Sequence, residues 1–265
     1  MEGVIFKRRA EPATLGRVHD SVNSADGVSR SPRVLFYEPA ILADAAARRI
    51  TDVIEDTIKR RGYCAVALAG GATPRPVYER MAVPALANRV AWDCVTIYFG
   101  DERCVPPDHP DSNYRMAHEV LLQHVPIPSA SVHRMEGERA DSDAAARDYE
   151  RHLPVALDLL LLGMGEDGHT ASLFPHSPVL AERTRRVVAV TPPAGPAQRL
   201  TITPPVIAAA DTVIVLVAGA NKAATVARAL EGAYAPEALP VQLALRGTWL
   251  IDSAAARLLQ GPQAP

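Results

Sequence analysis

The residues of this chain best suited to chemistry lie between Gly163 and Phe174, in the run Gly-Met-Gly-Glu-Asp-Gly-His-Thr-Ala-Ser-Leu-Phe. An imidazole titrates near neutral pH, and a carboxylate beside it fixes its tautomer and raises its basicity. Asp167 and His169, with Gly168 between them, could together draw a proton from water. A lone histidine is more often structural. This one comes after the apolar run Leu157–Leu162, inside a glycine-rich loop with no core around it to join, and that favours a catalyst.

Four further places carry groups that meet anions. In Gly70-Gly71-Ala72-Thr73-Pro74 the glycines let backbone amides approach an anion, and the helix start beyond them adds partial positive charge; a bare strand-to-helix turn is the competing reading. In Gly100-Asp101-Glu102-Arg103 an arginine stands beside two carboxylates just after a strand, placed to orient a substrate or merely to pair at the surface. Taken alone, surface pairing is the simpler reading. Arg199 and Lys222 each begin an element, and Lys222 could hold a phosphate together with helix amides; singly, each reads as a solvated charge.

Several other motifs fail on geometry. Gly163-Met-Gly165-Glu-Asp-Gly168 matches GxGxxG, but that fingerprint needs a helix starting at the loop, and Pro175 and Pro178 interrupt the segment after it. His118 and His124 lie roughly 240° apart around a helix and cannot share a metal as an i, i+4 pair can. No GxSxG surrounds any serine, so Ser172 reads as a turn residue. Cys104 has no partner at nucleophile or metal spacing.

The elements that must position these residues alternate strand and helix. Val34–Tyr37 and Ala40–Arg61 read as strand then helix, with Gly62 ending the run. Tyr63–Ala69 is an apolar strand, after which Thr73 is a suitable N-cap and Pro74 suits the first helical position. Next are Val95–Phe99, a helix from Ser112 to about His124, a helix over Ser142–His152 and the strand Leu157–Leu162. Then come strands at Val187–Val190, Leu200–Thr203 and Thr212–Ala218, a helix Lys222–Leu230 and a strand Thr248–Ile251. Strands apolar throughout, alternating with helices, predict an α/β fold: a mostly parallel, Rossmann-like sheet flanked by helices on both faces. Ligands bind such sheets beyond the carboxyl ends of the strands, so the loops at Gly70–Pro74, Gly100–Arg103 and Gly163–His169 should share one rim.

At 265 residues and 48% hydrophobic, the chain has ample material for a core, and residues 33–265 are expected to form one domain. Residues 1–32 mix charges, Ser and Gly without periodicity and read as a disordered extension; Glu2, Glu11, Asp20 and Asp26 argue against a transit peptide. A net charge of −2 gives no reason to expect nucleic acid or a membrane surface as partner. Three unpaired cysteines and the lack of a signal-like or membrane-length apolar run point to the cytoplasm.

Taken together and in order, Ala69–Pro74, Gly100–Arg103 with Ser112-Asn113, Asp167–Pro175, Arg199–Thr203 and Gly219–Lys222 resemble the glucosamine-6-phosphate isomerase/6-phosphogluconolactonase family. The resemblance spans about residues 33–253, and Thr170-Ala-Ser-Leu-Phe-Pro175 after the Asp-Gly-His block favours the lactonase over the deaminase branch, which normally reads Ile-Ala-Phe-Asn-Glu-Pro there. It implies the fold shared by those enzymes, a carboxylic ester hydrolase acting on a sugar-phosphate lactone, and no metal or organic cofactor. It implies His169 as general base, Asp167 as its orienting partner, and Arg103 or the amides of Gly70 and Gly71 against the oxyanion. Arg199 and Lys222 would then hold the phosphate, with Arg75 or Arg103 as further candidates, and Ala72, Thr73, Asp101 and Gly168 would line the substrate. Ala72 departs from the serine many members carry. A monomer or weak homodimer is expected, and the rival readings are a deaminase and a non-catalytic sugar-phosphate sensor.

Overall fold

A computed structural model describes residues 32–193 and 198–260; the predicted extension over residues 1–32 lies outside the described residues except for Pro32. The chain begins β1 (Arg33–Tyr37), α1 (Pro39–Arg61), β2 (Cys64–Leu68), α2 (Pro74–Met81) and the short α3 (Pro84–Ala87). Next come β3 (Val95–Phe99), β4 (Asp101–Arg103), α4 (Asn113–Val120), α5 (Ser142–His152) and β5 (Leu159–Gly163). The last part holds β6 (Val187–Val190), β7 (Arg199–Ile202), α6 (Pro204–Ala209), β8 (Thr212–Val217), α7 (Ala223–Glu231), β9 (Thr248–Asp252) and α8 (Ser253–Ala256). Among the described residues no helix is long and apolar enough to cross a membrane.

Six strands form a wholly parallel sheet in the order β1-β9-β8-β5-β2-β3. Side chains alternate across each strand, so one continuous apolar run feeds two cores. Val66, Leu68, Leu159, Leu161, Ile214 and Leu216 face one core with α1 residues Leu42, Ile50 and Ile54. Ala65, Ala67, Leu160, Leu162, Val213 and Val215 face the other, with Tyr149 of α5 and Val226 of α7. That division is why these strands read as unbroken apolar runs. Helix α1 ends where Gly62 turns left-handed at φ 80° and its N–H bonds the carbonyl of Ile58, as expected for a glycine stop.

After β2 the chain moves outward to β3, whereas after β5 it moves the other way, to β8 and β9. The reversal leaves a crevice between β2 and β5, beyond their carboxyl ends. The loops carrying Gly70 and His169 leave from these two strands.

Two predictions are corrected here. Asp101–Arg103, expected as part of a loop, is a strand pairing antiparallel with β7, and β7 pairs antiparallel with β6 in a separate three-stranded sheet. Gly100 is the junction: its N–H donates to Leu68 of the parallel sheet and its carbonyl accepts from Ile202 of the small one. Thr73 does not cap α2, because its backbone is already helical at φ −67°, ψ −45°, and its side chain makes no capping bond; Pro74 does begin the helix. Smaller shifts also occur, with the helix from Ser112 breaking at Leu121 and the fifth strand beginning at Leu159.

Two buried tyrosines fix the strand ends that lead into the rim. The Tyr78 hydroxyl donates to the Ala69 carbonyl and accepts its N–H, both at 2.9 Å, and the Tyr149 hydroxyl does the same for Phe99 at 3.0 and 2.7 Å. Burial pushes both phenols far above their ordinary pKa, so each remains a donor. Removing either hydroxyl would strand buried backbone groups, at about 1–3 kcal/mol.

Candidate active site

The loop after β5 closes on itself around the imidazole. Gly165 N–H donates to the His169 carbonyl at 2.9 Å, Gly168 N–H to the Gly165 carbonyl at 3.1 Å, and the Thr170 hydroxyl to the Gly163 carbonyl at 2.8 Å. A Cβ on Gly165 would lie 2.2 Å from the His169 ring, so only glycine fits beneath it. Gly168 takes φ 90° and abuts Leu239. No α-helix starts here: an isolated bridge joins Thr170 and Leu173, which is why GxGxxG is no dinucleotide fingerprint in this chain.

One oxygen of Asp167 holds His169 twice, accepting its backbone N–H at 3.0 Å and meeting Nδ1 at 2.6 Å. A carboxylate offers only acceptors, so in the neutral ring Nδ1 carries the proton and Nε2 keeps a lone pair. Phe174 packs against the ring with centroids 5.1 Å apart. Both polar side chains remain partly exposed, at 34% for His169 and 45% for Asp167, as groups that must reach a solute require.

The cleft beside His169 has a volume of about 640 Å³, counted to its open mouth. Its walls include Gly70, Gly71, Ala72, Thr73, Asp101, Arg103, His169 and Lys222, so eight of the predicted residues from four stretches of sequence meet there. Asp167 and Gly168 stand behind His169 and are not wall residues. Arg199 is not on the wall either. It pairs in register with Arg103 across β4 and β7, and its Nε is buried, with no hydrogen-bond partner among the described residues. Burial, then the neighbouring Arg103, holds its pKa below the ordinary arginine value. Arg75 is bridged to Glu79 at 3.4 Å on the surface and does not line the cleft.

Lys222 ends a 3₁₀ turn and stands just ahead of α7, so the regular helix begins one residue later than predicted, at Ala223. Burial lowers its pKa, opposed by Glu166 and Asp252. A desolvated ammonium of this kind gains most from an anionic ligand.

Three positions bind the rim together in a way the sequence reading did not assign to them. Ser172, read as a turn residue, is 2% exposed and donates to Asp101 Oδ2 at 2.6 Å, tying the histidine loop to β4. Glu102 is equally buried and accepts from the N–H groups of Arg103, Asn113 and Tyr114 and from the Ser112 hydroxyl, at 2.7–3.0 Å. Burial raises its pKa although these bonds pull the other way. The Asn113 amide fills the place of a Gly70 side chain. The available signal was the alternation of β4, which buries the middle residue of Asp-Glu-Arg and turns Asp101 and Arg103 to the other side.

The family profile described as glucosamine-6-phosphate isomerases/6-phosphogluconolactonase matches residues 37–251. A 6-phosphogluconolactonase of Synechocystis sp. is 41% identical over 248 residues, covering 87% of this chain and 99% of its own. The solved 6-phosphogluconolactonase of Trypanosoma brucei is 30% identical with a TM-score of 0.75, covering 86% of this chain and 98% of that one. A monomeric glucosamine-6-phosphate deaminase, 24% identical with a TM-score of 0.75 over 85% of this chain and 99% of that one, shares the fold. With Asp-Gly-His in the loop after β5 and a matching profile over most of its length, this chain belongs to the glucosamine-6-phosphate isomerase/6-phosphogluconolactonase family.

Proposed function

We propose that the chain hydrolyses 6-phosphoglucono-1,5-lactone to 6-phosphogluconate, the second step of the oxidative pentose phosphate pathway. The observation that carries this reading is the 2.6 Å contact of Asp167 with Nδ1 of His169 on the wall of a cleft that also holds Arg103 and Lys222. The names of the high-coverage relatives support the same substrate.

His169 Nε2 takes a proton from water as its oxygen bonds to the lactone carbonyl carbon. Arg103 and the amides of Gly70 and Gly71 oppose the charge that develops on the carbonyl oxygen. As the tetrahedral adduct collapses, the ring C–O bond breaks and His169 returns its proton to the departing alkoxide; the carboxylic acid product then ionises. Asp167 holds the imidazole in the required tautomer throughout. Lys222 grips the 6-phosphate, and Arg199 adds positive charge beside Arg103. A lactone is an activated ester, so general-base help of roughly 10²–10⁴-fold with positioning accounts for useful turnover.

We further place the reaction in the cytoplasm, a reducing compartment that suits the three free thiols; burial pushes that of Cys64 up to about 12. The test is acid release from freshly generated lactone by the purified protein, with spontaneous hydrolysis subtracted. Rate above background with no ammonia from glucosamine 6-phosphate is expected; ammonia release without lactone turnover would move the chain to the deaminase branch.

A further inference from the structure

Asn113 begins α4, lines the cleft and is 2% exposed. Its Nδ2 donates to the Asp101 carbonyl at 2.9 Å and to Asp101 Oδ1 at 3.2 Å, which fixes the orientation of the amide. Its Oδ1 is buried, and among the described residues no donor reaches it. Buried acceptors are almost always satisfied, so an orphan held rigidly at a cleft wall is a group waiting for a ligand. The amide lies against Gly70 so closely that a Cβ there would fall 1.9 Å from Oδ1. Gly71, at φ 98°, has nothing within 4 Å of such a Cβ. The two glycines therefore differ: Gly71 is open, and Gly70 makes room for Asn113.

On the lactonase reading, the chemistry of this acceptor is selective. The phosphate and the lactone carbonyl present oxygen acceptors, which Oδ1 repels, whereas the ring hydroxyls are donors. We infer that Asn113 is a specificity-determining residue whose Oδ1 accepts a hydrogen bond from one ring hydroxyl of the bound sugar phosphate. Its selectivity resides in that one bond, since a site that keeps a buried acceptor for a hydroxyl penalises the analogue lacking it.

The test is a matrix of kcat/KM values for wild type and Asn113→Ala on 6-phosphogluconolactone and its 2-, 3- and 4-deoxy analogues. Wild type is expected to lose about tenfold on one analogue, and the variant to lose about tenfold on the parent lactone but nothing further on that same analogue. A wild type that handles all three analogues within about twofold of the parent overturns the inference whether or not the variant folds. So does a variant whose loss is the same on the parent and every analogue. A wild type that leaves the parent lactone at its spontaneous rate overturns the lactonase reading, and this inference with it.

Discussion

The ring of His169 lies over Gly165 so closely that a methyl group on that glycine would sit 2.2 Å from Nδ1 and Cε1, and 2.6 Å from the Asp167 carboxylate. Gly165 therefore helps to fix the His169 ring and the Asp167 carboxylate in place, although it offers no side chain of its own. Replacing it with alanine must push both Asp167 and His169 from their places. Because the misplacement of a base removes most of its benefit, Gly165→Ala should lower kcat by about 10²-fold or more with KM little changed. Steady-state kinetics beside a far-UV spectrum checks this; wild-type kcat would mean that the loop can yield without moving the ring.

Glu102 is the fastening of the rim. Four donors converge on one buried carboxylate at the start of α4, and a glutamine there would turn an NH₂ group toward one of them. Glu102→Gln should cost about 2–4 kcal/mol, since bonds to a charged group carry more than neutral ones. By thermal melting that is a fall of about 5–15 °C for a chain of this size. Unchanged melting would remove Glu102 from the framework.

Lys222 is a partly buried cation on the cleft wall. Burial holds its folded pKa below the ordinary 10.5, so the native state binds this proton less tightly than the unfolded one. Stability from this group therefore rises with pH between the lowered value and 10.5, and the cost of the buried charge is borne in full below that window. Lys222→Met should melt higher than wild type near neutral pH, by about 2–4 °C for each kcal/mol relieved, with the difference closing as pH approaches the ordinary lysine value. The same variant should raise KM for the lactone by about tenfold or more with a smaller change in kcat, as expected for a grip remote from the reacting bond. A melting point that falls, or a loss confined to kcat, would contradict this role.

The parallel sheet was legible because its strands are buried on both faces, and Leu159–Leu162 or Val213–Val217 can be apolar only for that reason. The candidate base was legible because Asp167 and His169 are local, two residues apart after a strand. Pairing at long range could not be read locally. Asp101–Arg103 carries charges and reads as a turn, yet it is a strand because Thr201, Leu200 and Arg199 lie across from it. The same limit hid Ser172, whose partner Asp101 is 71 residues away, and Asn113, whose meaning depends on the missing side chain of Gly70. Arg199 is a cation in both readings, but only register reveals that it stands directly across from Arg103, and it is not among the residues lining the cleft. Thr73 failed as a cap because the turn before α2 is already helical there, which removes the extended geometry a capping side chain needs.

The central claim is that His169 is the base that activates water. Purified His169→Ala, verified as folded by its melting curve and by retained 6-phosphogluconate binding, should release acid from freshly generated lactone about 10²–10⁴-fold more slowly than wild type. Turnover equal to wild type in that folded variant would contradict it.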